Sequence, residues 1–477
     1  MSGSTYDTPA KVLKRAQEAI GKKIKDIDTT GRLQTGKGAI GTIIEESWFG
    51  YSPNSTAASD FPKAGVELKV TPYKRTSKSI SAKERLVCNI IDYMTEHLKT
   101  FETSSFWHKC QKMVIMSYEY KKGVAKGDFS IDNAILFSFP DEYRAIIKSD
   151  WEKIVSKIRA GEAHLLTEGD TLYLAACTKG RDSGSVRRQP FSDIPAKQRA
   201  YSLKSSFMTN ILRRYIFGNE DDENIVKDWR LLELNSLEEI IEQKVSGYIG
   251  KTQQELKEEF KIESSPKNLN MLLFSKMIGL AGEAENAHEF RNANIIPKTI
   301  CVNKDGSIKE SMSFPTFKFC DIIKETWENS ELRNLIEPAK FLFVIFKKND
   351  VDEPVFERIK FWNIPAEDLG CVCKPSSRNR VTTGKCATMT SLKTSGSGLS
   401  PYCQQKVLLV EGDRLVTSET FSMLYIGCCE PDLHGELCQR NMVRGKPYIP
   451  DSGVGRKEDI WLLSLSFLPY RLTWTTS

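Results

Sequence analysis

From Val66 to Val70 the chain alternates apolar and charged residues, Val-Glu-Leu-Lys-Val. A period of two of this kind dictates an extended strand, because residues two apart share a face only there. Val66, Leu68 and Val70 then turn toward a core, while Glu67 and Lys69 project together from the opposite side. Asp60, at the start of the same segment (DFPKAGVELK), is near enough to reach round beside Glu67. Such a strand is ordinarily a solvated face, but its charged residues are also those that hydrolytic chemistry uses. Phosphodiester hydrolysis needs an activated water, a Lewis acid at the scissile phosphate and a counter-charge. A hard cation such as Mg2+ takes oxygen ligands and keeps several waters, so two carboxylates plus substrate phosphate suffice. On this reading Asp60 and Glu67 hold the ion, and Lys69 orients or deprotonates the water.

The flanking segments supply more of the set. Thr8 caps and Pro9 opens a helix that carries Val12, Leu13, Ala16 and Ile20 at helical spacing. A second helix is expected from about Gly38 to Trp48, with Ile40, Ile43, Ile44 and Trp48 on one face and Gly50 at its end. Glu45 stands one residue past that apolar face and reads as the third carboxylate; Lys37, at the helix start, suits a phosphate contact. Downstream, Leu86 to Leu98 reads as a helix, Lys112 to Tyr120 and Ala134 to Phe139 as strands, and Tyr143 to Arg159 as a helix.

A chain of 477 residues has room for two domains, and 40% hydrophobic with 27% charged content is that of a globular protein. The start of the chain has no secretory pattern. The longest apolar run, Ile460 to Leu468, is about half of the ~20 residues a membrane span requires. A cytoplasmic protein with no membrane partner is therefore expected. The net charge of +6 fits a nucleic-acid partner without demanding one, because clustering matters more than total charge.

Acidic residues from Gly218 to Asn224 suggest a linker, and beyond it the order of elements recurs. KMVIMSYEYKK from Lys112 is patterned like KFLFVIFKK from Lys340, AILFSFPDE near Ala134 like IKFWNIPAED near Ile359, and AGVELKVTP from Ala64 like ANIIPKTIC from Ala293. A duplicated domain is expected. Laying Ala293 on Ala64 pairs Lys298 with Lys69 but puts Ile296 where Glu67 stands, so the second copy should be catalytically inert. Losing it should weaken cleavage without touching the chemistry. The resulting division is 1–217 catalytic, 218–235 linker, 236–370 degenerate copy and 371–477 tail. Seven of the twelve cysteines lie in that tail, with no Cys-x-x-Cys pair to mark a metal cluster. The tail also lacks the earlier periodicity.

KGAIGTIIEESWFG (Lys37 to Gly50) followed by DFPKAGVELKVTPYK (Asp60 to Lys74) closely resembles the core of the MutH family. That family comprises mismatch-repair nicking enzymes and related restriction endonucleases that cut at GATC, within the PD-(D/E)XK nuclease class. The likeness continues through ERLVCNIIDY (Glu84), FETSSFWHK (Phe101) and KQRAYSLKSSFMTNILRRY (Lys197), covering about the first 220 residues, with a fainter echo to about 370. The resemblance stops abruptly there, which, with the tail's lack of periodicity, points to a reading-frame change in the gene.

The resemblance implies an α/β (α+β) fold in which a mixed sheet is flanked by helices, with Mg2+ as cofactor and double-stranded DNA containing GATC as partner. It implies that Asp60, Glu67 and Glu45 are metal-binding carboxylates, that Lys69 is the catalytic lysine, and that Lys37 and Lys109 lie near the phosphate. CTKGRDSGSVRRQ (Cys177 to Gln189) falls in the place of the family's base-reading loop, with Lys179 a base contact and Gly180 allowing close approach. Arg187, Arg188, Arg213 and Arg214 are candidate phosphate contacts, weighed against ordinary surface solvation. Where MutH has an aromatic pair before Leu-Lys, this chain has Tyr201-Ser202-Leu203-Lys204, with Lys204 as a further candidate DNA contact. That difference, with the extra length, favours a type II restriction enzyme over a mismatch-repair nickase. A DNA-binding regulator with a decayed nuclease fold is the third reading. A DNA-mediated dimer remains open.

Overall fold

A computed structural model describes residues 6–369, apart from 35–38, 53–57, 78, 181–183, 219–222, 309–311, 318–324, 326, 328–329 and 367–368; beyond 369 it describes only a few short strands. Apart from those strands the cysteine-rich tail lies outside the described residues, and the reading-frame expectation falls there.

The alternating segment forms β1 (Glu67–Arg75), which sits inside a four-stranded sheet. Its neighbours are β2 (Ile80–Ala82), β4 (Lys112–Glu119) and β5 (Ile131–Ser138), in the order β2-β1-β4-β5, while β3 (Leu86–Ile90) lies in another sheet. β1 runs parallel to β4, with Glu67 opposite Met113 and Lys69 opposite Ile115, and β4 pairs antiparallel to β5. Val66, Leu68, Val114 and Met116 pack on one side against Val12, Ala16, Ile40, Ile43 and Ile44 of the N-terminal helices. Met113, Ile115 and Phe137 face the larger core on the other side, with Phe106, Ile147, Trp151 and Tyr201.

The first helix, Pro9–Gln17, is capped by Thr8, whose hydroxyl accepts from Lys11 N. Arg15 donates to the Trp48 carbonyl and stacks its guanidinium 3.8 Å from the Trp48 ring centroid, while Trp48 Nε1 donates back to Arg15 O. This lock fixes the end of the second helix. That helix is α-helical over Ala39–Ile43 and continues as a π-helical turn, Ile44–Phe49, closed by Gly50 at φ 77°.

Leu86 to Leu98 is not the expected helix. Leu86–Ile90 is strand β3, and only Tyr93–Glu96 makes a helical turn, capped by Asp92. Val87, Ile90 and Ile91 are β-branched, and pairing with β9 (Arg199–Leu203) outweighs the helical spacing of the apolar residues. β6 (Leu174–Thr178) completes this sheet in the order β3-β9-β6, and β7 (Val186–Gln189) with β8 (Ser192–Lys197) forms a hairpin beside it in sequence. Tyr143 to Arg159 lies within the long helix Asp141–Arg159.

In the second half, β10 (Ile295–Val302) precedes β11 (Met312–Phe317), β12 (Lys340–Lys348) and β13 (Pro354–Trp362). β10 is parallel to β12, and β12 is antiparallel to β13. Ile296 faces Phe341 and Phe341 faces Trp362, in the register by which Glu67 faces Met113 and Met113 faces Phe137. The two halves share one core: Tyr201, Phe207 and Ile211 cluster with Ile225, Val226, Ile241, Phe274, Phe290 and Val344. Where a linker was expected, Ile225 and Val226 are buried, and their N–H groups donate to the Glu289 carboxylate at 2.9 and 2.8 Å.

Candidate active site

β1 is not a solvated face. Glu67 is 1% exposed although it is ionisable, and only 14% of the Lys69 side chain reaches solvent. Burying two charges is tolerated when each has a partner. Lys69 Nζ donates to Glu67 Oε1 at 2.7 Å and to the carbonyl of Cys88 at 3.3 Å. That carbonyl is available because Cys88 is the extra residue of a β-bulge between Val87 and Asn89. Lys109, on the helix Ser105–Cys110, brings its Nζ to 3.5 Å from the same Glu67 oxygen.

Asp60 is held on the opposite flank. Phe61 forms an isolated bridge with Val66, folding the segment back on itself, and Gly65 turns it at φ 63°. Asp60 N donates to Glu67 Oε2 at 3.2 Å, and Leu68 N donates to Asp60 Oδ2 at 3.0 Å. Glu45, in the π-helical turn, completes the group electrostatically. Burial and then the charge of Asp60 push its pKa up to about 7. Burial likewise raises Glu67, with Lys69 pulling it back and Asp60 adding to the rise. Burial works against the Lys69 ammonium, yet Glu67 beside it holds its pKa above the ordinary lysine value. Lys69 is thus a cation in this state.

Among the described residues no three His, Cys, Asp or Glu side chains converge closely enough to hold an ion as they stand. Glu67 instead spends its oxygens on Lys69 and on Asp60 N. The donor set nevertheless fits a hard divalent cation. It consists of carboxylate oxygens, and the pKa values of Glu45 and Glu67 are raised first by burial and then by the neighbouring carboxylate charge of Asp60, both of which a cation would offset.

The other candidates divide. Lys37 lies outside the described residues. Lys179 and Gly180 are exposed just after β6, and Arg187 and Arg188 are exposed on β7. Arg213 instead donates to Ile80 O, and Arg214 to Glu142 and the Tyr143 hydroxyl, so both brace the fold. Lys204 departs most from expectation: it is 3% exposed and donates to Thr171 O and Pro338 O between the two halves. Sequence reasoning missed the Cys88 carbonyl, which no side-chain pattern could reveal, and Tyr51, whose hydroxyl is buried close to the carboxylates.

A strand presenting Glu-x-Lys, with an Asp seven residues before it and a helix carboxylate nearby, is the pattern that the PD-(D/E)XK nuclease class carries. Residues 49–150 match the family described as DNA mismatch repair enzyme MutH. The chain is 40% identical over 381 residues to the type II restriction enzyme Sau3AI of Staphylococcus aureus, covering 76% of this chain and 78% of that one. It is 30% identical over 189 residues to the DNA mismatch repair protein MutH of Shewanella woodyi, and 25% over 224 residues to that of Escherichia coli. These cover 39% and 44% of this chain, and 80% and 95% of the relatives. The chain belongs to the MutH-like type II restriction endonucleases, which are site-specific deoxyribonucleases. Among the described residues no helix is long and apolar enough to cross a membrane.

Proposed function

We propose that this protein cuts both strands of cytoplasmic double-stranded DNA at GATC in a Mg2+-dependent reaction, with Asp60, Glu67 and Glu45 as the ion's carboxylates. The observation that carries this reading is the buried Lys69–Glu67 pair with Asp60 bonded to the same glutamate. When bound, the cation supplies Lewis acidity at the scissile phosphate and lowers the pKa of water.

The chain's own residues do the rest. Lys69, held between Glu67 and the Cys88 carbonyl, points a charged donor at one side of the cluster. If Glu67 turns its oxygens elsewhere, Lys69 loses its main counter-charge while staying buried. Its pKa then falls, and it can orient the attacking water or accept its proton. Lys109 and Lys37 offset phosphate charge, Lys179 reads a base edge with Gly180 giving it room, and Arg187 and Arg188 grip the backbone.

The second half is read as a degenerate copy that binds DNA or couples two sites, supported by the matching strand registers and by Ile296 in the place of Glu67. A metal site lacking that carboxylate would hold Mg2+ poorly. The test is digestion of a plasmid with several GATC sites, with Mg2+ and then with EDTA. Linear fragments ending at GATC only when Mg2+ is present are expected. Nicks confined to hemimethylated sites would indicate a mismatch-repair nickase. A metal-independent gel shift with no cleavage would indicate a DNA-binding regulator, and either result would overturn the proposal.

A further inference from the structure

Tyr51 follows Gly50 at the end of the π-helical turn, and its N–H donates to Glu45 O at 3.2 Å. The left-handed Gly50 turns the chain so that the Tyr51 ring meets the edge of Phe61, centroids 5.4 Å apart and planes at 80°. Phe61 is next in sequence to Asp60, and with Tyr6 and Phe49 it forms an aromatic wall beside the carboxylates. One tyrosine is therefore anchored by its backbone to Glu45 and by its ring to the neighbour of Asp60. Its hydroxyl is buried, yet has no hydrogen-bond partner among the described residues. A buried phenol in that state forfeits a bond that water would have given it, and tyrosines that bury their rings normally find a partner. The charges nearest in effect are those of Asp60, Glu45 and Glu67, in that order, and together with burial they keep the phenol protonated far above neutral pH. It is a protonated donor within the field of three carboxylates.

We infer that Tyr51 is a positioning residue of the ion site: its hydroxyl donates to the Asp60 carboxylate when Asp60, Glu67 and Glu45 draw together on a divalent cation. The phenol would hold the Asp60 carboxylate in place and offset part of the repulsion between the carboxylates. This inference rests on the ion-site reading above. It adds a residue from outside the Asp-Glu-Lys set whose contribution comes through the carboxylates rather than through contact with the reacting atoms.

The test uses the full-length, DNA-free protein and Mn2+ as probe, read by titration calorimetry and by the metal-induced rise in Tm. Tyr51→Phe keeps the ring on Phe61 and removes only the hydroxyl. Roughly tenfold weaker Mn2+ binding is expected, the scale of one hydrogen bond to a charged group, with a correspondingly smaller rise in Tm. In cleavage assays at fixed Mg2+, kcat should fall while KM for DNA stays at the wild-type value. Wild-type Mn2+ affinity in Tyr51→Phe, alongside lost binding in Asp60→Ala, would overturn the role of Tyr51 and leave the ion-site reading standing. Wild-type affinity in Asp60→Ala as well would overturn both.

Discussion

Lys69 Nζ and Glu67 Oε1 are 2.7 Å apart, on residues of one strand whose side chains share a face, and both are withdrawn from solvent. Because both residues lie on one strand, movement between elements cannot separate them, and only rotation of a side chain can part the pair. Removing one member leaves the other charge buried without its counter-ion, which is costly. Lys69→Ala is therefore expected to lower the cleavage rate by at least ~100-fold, the loss typical of removing one charge-stabilising group from a hydrolytic site. Gel-shift affinity for DNA should remain within a few-fold of wild type in Ca2+. A Lys69→Ala protein that cuts at the wild-type rate would remove this lysine from the chemistry.

Glu45 makes a pH prediction with a definite sign. Its folded pKa is raised by burial, and by Asp60, to about 7, from the 4.5 of a free glutamate. Between those values the folded chain holds a proton that the unfolded chain has lost, so stability falls as pH rises and the cost is complete above pH 7. Glu45→Gln should accordingly stabilise the metal-free protein at pH 8 by about 1–2 kcal/mol, after allowing for partial exposure, and give almost nothing at pH 4. Divalent ions should reverse the ranking, because the wild type gains a ligand charge that glutamine lacks. Thermal melts at the two pH values, with and without Mn2+, check both statements.

Arg187 and Arg188 are exposed on a short hairpin strand, Val186–Gln189. If each neutralises one phosphate, replacing either by alanine should weaken binding about equally for GATC and unrelated duplexes. It should also reduce the slope of log affinity against log salt by about 0.9. Arg213→Ala and Arg214→Ala should leave that slope alone and lower Tm instead, since their guanidinium groups are spent on Ile80 O, Glu142 and Tyr143. Binding isotherms over a salt series separate the two pairs.

The parts of this molecule legible in the sequence are those set by local periodicity. Alternation placed Glu67 and Lys69 on one face, and the structure bonds Glu67 to both Lys69 and Asp60; Glu45, read one residue past a helical apolar face, lies close enough to feel the charge of Asp60. β3 was misread because Leu86 to Leu98 has apolar residues that fit a helix, and only the distant partner strand, Arg199–Leu203, decides for a strand. Lys204 sits in a sequence context resembling a DNA-contacting one, but the carbonyls that bury it belong to Thr171 and Pro338, 33 and 134 residues away. The Cys88 bulge and the partnerless Tyr51 hydroxyl are consequences of packing that no residue spacing encodes. The burial of Ile225 and Val226, just past the acidic segment, was illegible for the same reason, because they enter a core assembled from both halves.

That shared core changes what truncation should do. A chain ending near residue 222 would strip Ile241, Phe274, Phe290 and Val344 from a cluster that also contains Tyr201, Phe207 and Ile211. Burying each large side chain contributes about 1.5–3 kcal/mol, so losing these four is comparable with the whole ~5–15 kcal/mol by which a domain is stable. The fragment is expected to lack a cooperative thermal transition and to bind a hydrophobic dye. Weakened cleavage by such a fragment would then report unfolding rather than a lost effector site. A fragment that melts cooperatively near the full-length Tm would show that the first half stands alone.

Lys204 gives the sharpest separation between a DNA contact and a strut. Burial lowers its pKa to about 7 from 10.5, with Asp150 opposing the drop. Between these values the unfolded chain carries a proton that the folded chain has shed, so this residue makes stability rise with pH from about 7 toward 10.5. Below pH 7 the folded protein bears the full cost of keeping the ammonium buried, offset by its bonds to Thr171 O and Pro338 O. Lys204→Met removes both the titration and the two bonds. The variant should therefore lose the rise in Tm between pH 7 and pH 9 that the wild type shows, provided DNA is absent. Its salt dependence of DNA binding should match the wild type, because an ammonium held between two backbone carbonyls has no phosphate to neutralise. A salt slope reduced by about one, with the pH dependence of Tm unchanged, would instead place Lys204 on the DNA.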